Sequence, residues 1–223
     1  MAGRVQLLGL ALSICVLLLG GCSQGVASKG REPLSAIEQR AQLLAKLERK
    51  FDDPATHVKV GRLFQAEGRF DDAQYHFERA YSFDPVYWPA QAAIVRLLQE
   101  RGKTSEAEVA AELLMTKVAR SAGRSLDLGD AFKEAKEEKF ALRCYEQARR
   151  LDRRSARAHK KLGLYYLNRG DKVRAKEHLK QSYNLDWNQP EVAYHLGQLG
   201  VPIVLEPQRG SKSKASGAGE SGG

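Results

Sequence analysis

The chain of 223 residues has only three cysteines, Cys15, Cys22 and Cys144. The first two lie within or directly behind an apolar N-terminal run, so the remainder of the chain carries Cys144 alone. A single thiol excludes an intramolecular disulfide, and the fold must be held by packing. Set in a helical pattern, Cys144 reads as a small buried apolar residue rather than a reactive thiol. The five histidines, His57, His76, His159, His178 and His195, include no pair at metal-ligand spacing and none beside a cysteine in a zinc pattern. A glycine-rich phosphate loop is missing, and no serine sits in a nucleophile elbow. Asp71-Asp72 and Glu137-Glu138 are adjacent carboxylates, but helical neighbours do not face each other, and both pairs suit the positive end of a helix. The expectation is a protein without catalysis, cofactor or metal.

Long apolar runs are also missing, except at the start. Met1 to Arg4 carries one basic residue and is followed by "VQLLGLALSICVLLLGG", Val5 to Gly21, the layout of an export signal. A transmembrane helix needs about 20 apolar residues, so a short uncleaved anchor is the alternative. The end of the run, Leu19-Gly20-Gly21-Cys22, resembles the lipobox of bacterial lipoproteins. That resemblance implies a signal peptide over 1–21 and lipid attachment at Cys22, whose thiolate is the nucleophile that takes the lipid. It also implies, through Ser23 in place of Asp, an outer-membrane anchor facing the periplasm of a Gram-negative cell. An ordinary apolar segment that happens to end in cysteine is the plain reading. Loss of Arg4 lowers the formal charge from +9 to +8. Residues 22–33 are small and polar and read as a tether.

The strongest pattern is self-similarity at a period of 34 residues. Units begin at Pro54, Trp88, Ala122, Ala156 and Pro190 without an insertion. Position 20 of the four full units is Ala73, Ala107, Ala141 and Ala175. Position 8 is Gly61, Val95, Gly129 and Gly163, with Gly197 in the last partial unit, and position 24 is Phe77, Ala111, Tyr145 and Leu179. Position 11 is Phe64, Leu98, Phe132 and Tyr166, and position 15 is Gly68, Gly102, Lys136 and Gly170. Small residues at 8 and 20 let two helices approach, and large ones at 11 and 24 fill the space. Glycine at 15 suits a left-handed residue closing the first helix.

Gly61, Phe64, Ala73 and Pro85 stand in the pattern of the tetratricopeptide repeat (TPR), which the segment from about 54 to 200 resembles. The resemblance implies an all-α, right-handed superhelical solenoid of helix hairpins. Its units are 54–87, 88–121, 122–155 and 156–189. Val95, Ala111, Lys136 and Arg153 depart from the pattern and bear on local turn geometry. Hairpins are expected at about 55–83, 89–119, 124–151 and 156–185. The segment 34–53 reads as an N-terminal capping helix, and 190–208 as a C-terminal capping helix followed by an extended strap. The tail 209–223, rich in Gly, Ser, Lys and Ala, reads as disordered. Trp187 is expected to pack the fourth unit against the helix after Pro190.

In the family the first helix of each hairpin lines a concave surface, chiefly at positions 2, 5, 9 and 12. Carried over, these place Arg62, Gln65, Arg96, Gln99, Asp130, Lys133 and Lys160 in a groove. Arg and Gln recur one helical turn apart at 62/65 and 96/99, a polar ladder suited to carboxylates or carbonyls of an extended peptide. Solvated side chains on a water-filled groove are the alternative. Net charge rises along the units as −1, +1, +2 and +5. Much of the excess is a basic patch of Arg149, Arg150, Arg153, Arg154, Arg157, Lys160 and Lys161. Such a patch attracts anionic lipid headgroups, an anionic envelope polymer or acidic protein, or is simply a solvated face. Nucleic acid is disfavoured, because no aromatic stacking platform accompanies it. The resulting expectation is a lipid-anchored scaffold in the bacterial envelope, binding envelope proteins or peptide segments in its groove. Alternatives are a polymer or headgroup binder, or a structural subunit that takes a neighbouring copy on Leu164 and Leu167.

Overall fold

The computed structural model describes residues 35–202. The segments expected to be a signal peptide, a tether with Cys22, a strap beyond Pro202 and a disordered tail lie outside the described residues. Among the described residues there are ten α-helices and no strand. They are α1 (Ala36–Arg49), α2 (Pro54–Ala66), α3 (Phe70–Phe83), α4 (Trp88–Glu100) and α5 (Thr104–Lys117), followed by α6 (Ala122–Glu134), α7 (Glu138–Leu151), α8 (Ala156–Asn168), α9 (Lys172–Leu185) and α10 (Pro190–Gln198). The fold is an all-α stack of helix hairpins of the tetratricopeptide type.

Local chemistry sets the helix ends. Ser35 and Glu38 form a reciprocal capping box at α1. Asp53, Ser121, Ser155 and Asp171 accept backbone N–H bonds at the starts of α2, α6, α8 and α9. Inside each hairpin the first helix closes on a left-handed residue, and the next residue's N–H returns to the carbonyl five positions back. Arg69 thus donates to Phe64, Lys103 to Leu98, Glu137 to Phe132 and Asp171 to Tyr166. Glycine fills three of these four left-handed slots, at φ 74° to 76°, and Lys136 fills the other at φ 62°. The departure at Lys136 therefore leaves the turn unchanged and gives it a side chain.

Hairpins close by interlocking positions 8 and 24. A Cβ placed on Gly61 would lie 2.5 Å from Phe77 Cε1, one on Gly129 2.5 Å from Tyr145 Cε1, and one on Gly163 2.7 Å from Leu179 Cδ2. Phe77, Tyr145 and Leu179 are fully buried, so each ring or branch occupies the notch left by its glycine. The second unit reverses the sizes. Val95 and Ala111 are both buried in one core cluster, with the bulk now on the first helix. Fold class survives there because volume is kept while its source changes.

Leu47 of α1 joins the core of the first hairpin, so α1 covers the N-terminal end of the stack. Val192 and Leu196 of α10 pack with Leu179 at the other end. Leu164 lies against that same cluster and Leu167 against the central core, so both are partly covered within the chain. Trp187 does not pack the junction: it is 61% exposed. Gln189 ties that junction instead, donating to the carbonyls of Ser182 and Asp186. Trp88, by contrast, is half-buried against the central core.

Asp53 joins α1 to α2. Its carboxylate accepts from Lys46 Nζ at 2.6 Å, from the Thr56 hydroxyl at 2.6 Å and from the Thr56 N–H. The Lys46 ammonium, then the Thr56 hydroxyl, hold this carboxyl far below the usual carboxylate range. Asp53→Ala is expected to cost about 1–2 kcal/mol through loss of the cap, a lowered melting temperature in a circular-dichroism melt. An unchanged melt would mean that α1 is not held through this residue.

Candidate functional site

One pocket of about 280 Å³ draws its walls from three successive units: Arg62, Gln65 and Ala66, then Ala93, Arg96 and Glu100, then Glu134, Ala135 and Lys136. Three of the groove residues expected from the sequence, Arg62, Gln65 and Arg96, converge here. Gln99 is half-buried and Lys133 exposed, and neither lines the pocket. Asp130 and Lys160 also lie away from it.

The arginine and glutamine side chains are already engaged. Gln65 Nε2 donates to Glu100 Oε2 at 2.6 Å, and Arg96 Nε donates to Glu100 Oε1 at 2.7 Å. Arg96 also reaches Glu137 Oε1 at 3.3 Å, and Arg62 reaches Glu134 Oε2 at 3.5 Å. Gln65, Glu100, Arg96 and Glu137 therefore form a chain of charge-assisted bonds across three units. Burial raises the Glu137 carboxyl above its ordinary range, against the lowering effect of the bond from Arg96. The expected polar ladder is thus an alternating one, with carboxylates set between its cations. The groove positions carried over from the family leave out position 13, where Glu100 and Glu134 both stand, one helical turn after position 9. The signal was present, since Arg96 with Glu100 is an i,i+4 pair legible in the sequence.

The basic patch is divided by the fold. Arg157 contacts Asp127 and Asp130 at 2.8 and 3.2 Å, Lys161 contacts Asp130 at 2.7 Å, and Lys160 contacts Glu191 at 2.5 Å. Asp130 also accepts from the buried Tyr145 hydroxyl at 2.9 Å, so this expected groove residue is a structural hub. Arg149, Arg150, Arg153 and Arg154 form no ion pair with any described residue, and Arg150, Arg153 and Arg154 are exposed. The seven residues, close together in sequence, comprise three paired cations and four with no ion pair to a described residue.

Four of the histidines meet in two pairs that sequence spacing did not suggest. His57 Nδ1 lies 3.0 Å from His76 Nδ1, and His159 Nδ1 lies 3.1 Å from His178 Nδ1. His57 Nε2 is 2.8 Å from the Phe51 carbonyl and His159 Nε2 is 3.3 Å from the Arg153 carbonyl. A carbonyl only accepts, so Nε2 carries the proton in both, and Nδ1 accepts from the N–H of His76 or His178. The two middle units close the same turn with groups that do not titrate: Gln91 donates to the Pro85 carbonyl, and Ser125 to the Val118 carbonyl. A common column was the available signal, since His57 and His159 share position 4 and His76 and His178 share position 23. Among the described residues no group of three or more metal-ligating side chains exists.

No protein-family model matches the chain, and no curated protein matches it. Solved structures do. One is a thermophilic TPR protein, TTC0263 of Thermus thermophilus, 26% identical over 66% of this chain and 81% of that one, with a TM-score of 0.37. A second is pilF of Pseudomonas aeruginosa, 22% identical over 72% and 69% of the two chains, with a TM-score of 0.37. The third is YrrB, described as a TPR protein with an unusual peptide-binding site, 14% identical over 73% and 84%, with a TM-score of 0.38.

Proposed function

We propose that this protein is a scaffold that binds a segment of another protein in the pocket between its first three units, and that a lipid on Cys22 holds it to a bacterial envelope membrane. The observation that carries the first half is the shared wall. Side chains from three units line one pocket, so a segment that fills it is read at several points at once. Ionic partners within the floor keep the pocket preorganised while empty. Support for the second half is the signal-like run and Leu19-Gly20-Gly21-Cys22. Anchoring confines the search for a partner to a surface, and the groove then supplies specificity.

The test is site-specific photo-crosslinking in intact cells that produce the protein. A photoreactive residue at Gln65, in the pocket, is expected to capture a defined envelope protein, whereas one at the exposed Glu78 captures none. Equal capture at both positions would move the working surface elsewhere. Radiolabelled palmitate is expected to enter the native chain and not Cys22→Ala, and equal labelling would remove the lipid from the reading.

A second reading rests on Arg149, Arg150, Arg153 and Arg154, the cations of the patch that lack an acidic partner among the described residues. They suit an anionic polymer or headgroup. Salt alone does not separate the two readings, because the pocket is itself ionic. Charge reversal does: Arg153→Glu/Arg154→Glu is expected to leave capture at Gln65 intact and to abolish any sedimentation with anionic vesicles.

A further inference from the structure

We propose that Lys136 is a ligand-binding residue of this pocket and that the segment it receives presents a carboxylate. The inference rests on the groove reading above and names the chemistry of its partner. It starts from a conformational anomaly. The slot that closes the first helix of each hairpin has positive φ, and Gly68, Gly102 and Gly170 occupy it in the other units. Lysine in the left-handed region costs roughly 1 kcal/mol that glycine avoids. Nothing lies within 4 Å of a Cβ placed on any of those three glycines, so the turn accepts a side chain sterically but gains no packing from it. Such a cost persists where the side chain has a use.

The surroundings supply the use. Lys136 stands in the turn whose side chains close the pocket from the third unit, beside Glu134 and Ala135. Three cations and two carboxylates line that pocket. Arg62 is held by Glu134 and Arg96 by Glu100, but Lys136 pairs with no described residue. Glu137, bonded to Arg96, balances the local charge, yet Lys136 is a cation of the lining with no ionic partner among the described residues, carried on an exposed and flexible stem. A carboxylate arriving there finds an ammonium free to bind it, with Arg62 close enough in the same pocket to exchange its 3.5 Å contact with Glu134 for the newcomer. Acidic side chains and chain ends carry the same group.

The experiment uses the full chain in detergent at low salt and measures fluorescence anisotropy with three fluorescein-labelled octapeptides. One alternates Glu and Ala and is amidated, one alternates Ser and Ala with a free C-terminal carboxylate, and one alternates Ser and Ala and is amidated. At least one carboxylate probe is expected to bind more tightly than the neutral amide, and which one identifies the source of the group. Lys136→Gly is expected to weaken that binding about fivefold or more while raising the melting temperature by roughly 2–4 °C as the strain is released. Lys136→Arg should retain binding, as should Lys180→Gln, which removes the same charge from an exposed site on α9. If Arg62→Gln weakens binding and Lys136→Gly does not, the groove reading stands and this inference fails. Equal affinity for all three probes overturns the carboxylate, and indifference to both substitutions overturns the groove as well.

Discussion

Gly129→Ala is expected to destabilise the protein by about 2 kcal/mol, and Gly197→Ala to stabilise it by up to about 1 kcal/mol, although both replace a helical glycine at the same repeat position. Alanine is the better helix former by about 1 kcal/mol, so propensity alone predicts a gain at both sites. Packing reverses the sign at Gly129. Its new methyl would lie 2.5 and 2.7 Å from Tyr145 Cε1 and Cδ1 and 3.1 Å from Cys144 Cβ. The ring is unable to retreat cheaply, because it is fully buried and its hydroxyl is bonded to Asp130, which Arg157 and Lys161 also hold. Overfilling a tight core costs roughly 1–3 kcal/mol, and at this site the upper part of that range applies. At Gly197 nothing lies within 4 Å of the added carbon, and the propensity gain is kept. For a domain of this size about 1 kcal/mol moves the melting point by roughly 2–4 °C. Thermal melts of the two variants should therefore move in opposite directions. A stabilised Gly129→Ala would show that the α6–α7 hairpin has slack that the interlocked ring does not suggest.

Acidification from pH 7 to pH 4.5 is expected to cost on the order of 1–2 kcal/mol at the His57–His76 pair, after allowance for partial solvent screening, and to act in the same direction at His178. Burial, then the neighbouring His57, depresses His76 to about 4. Burial also lowers His57, and burial followed by His159 lowers His178. Asp72 acts on His76 in the opposite sense, as do Asp53 on His57 and Glu177 on His178, while Arg79 near His57 and Arg149 and Arg174 near His178 reinforce the lowering. A histidine lowered in the folded state binds fewer protons there than in the unfolded chain. Stability is therefore full above the unfolded value of 6.5 and falls as the pH drops from 6.5 towards 4. Protonation of His57, the acceptor, leaves two donors facing at 3.0 Å, whereas a proton added to His76 or His178 goes to Nε2, keeps the shared bond and costs stability by burying a charge. The second unit shows how to remove the effect, since it has Gln91 and Ala110 at the same two positions. His57→Gln/His76→Ala combined with His159→Gln/His178→Ala should be less stable at pH 7, because volume is lost, but should have a flatter melting temperature between pH 7 and 4.5. An unchanged slope would place the acid sensitivity in other groups.

How much is legible without the structure differs between fold and site. The hairpins follow from columns within 34 residues: small residues at 8 and 20, large ones at 11 and 24, and a turn residue at 15. Each acts on contacts inside one hairpin, so a repeated column is a repeated contact. Even the Val95 and Ala111 departure concerns a single hairpin and needs only the volumes to be compared. Trp187 runs against expectation because a large apolar residue at a junction need not be covered when the closing bonds come from a polar neighbour, here Gln189. The groove is half legible. Arg62, Gln65 and Arg96 do meet, but Glu100, Glu134 and Glu137 join them from outside the family's groove positions and turn a cationic ladder into an alternating one.

By itself the sequence determined the period, the helical class, the hairpin as the unit and the residues that interlock within it, because helix periodicity, turn chemistry and side-chain volume act over a few tens of residues. Tertiary structure alone decided which charges remain available. Arg62 meets Glu134 across 72 residues, Arg96 meets Glu137 across 41, and Arg157 meets Asp130 across 27. Those meetings depend on the offset between successive hairpins, a geometric quantity that no single column records. The same offset leaves Lys136 without a partner among the described residues in the wall of the pocket, while the closure of single hairpins brings imidazoles 19 residues apart into hydrogen-bond contact. Composition counts charges, but only their positions in the stack determine which of them can still bind.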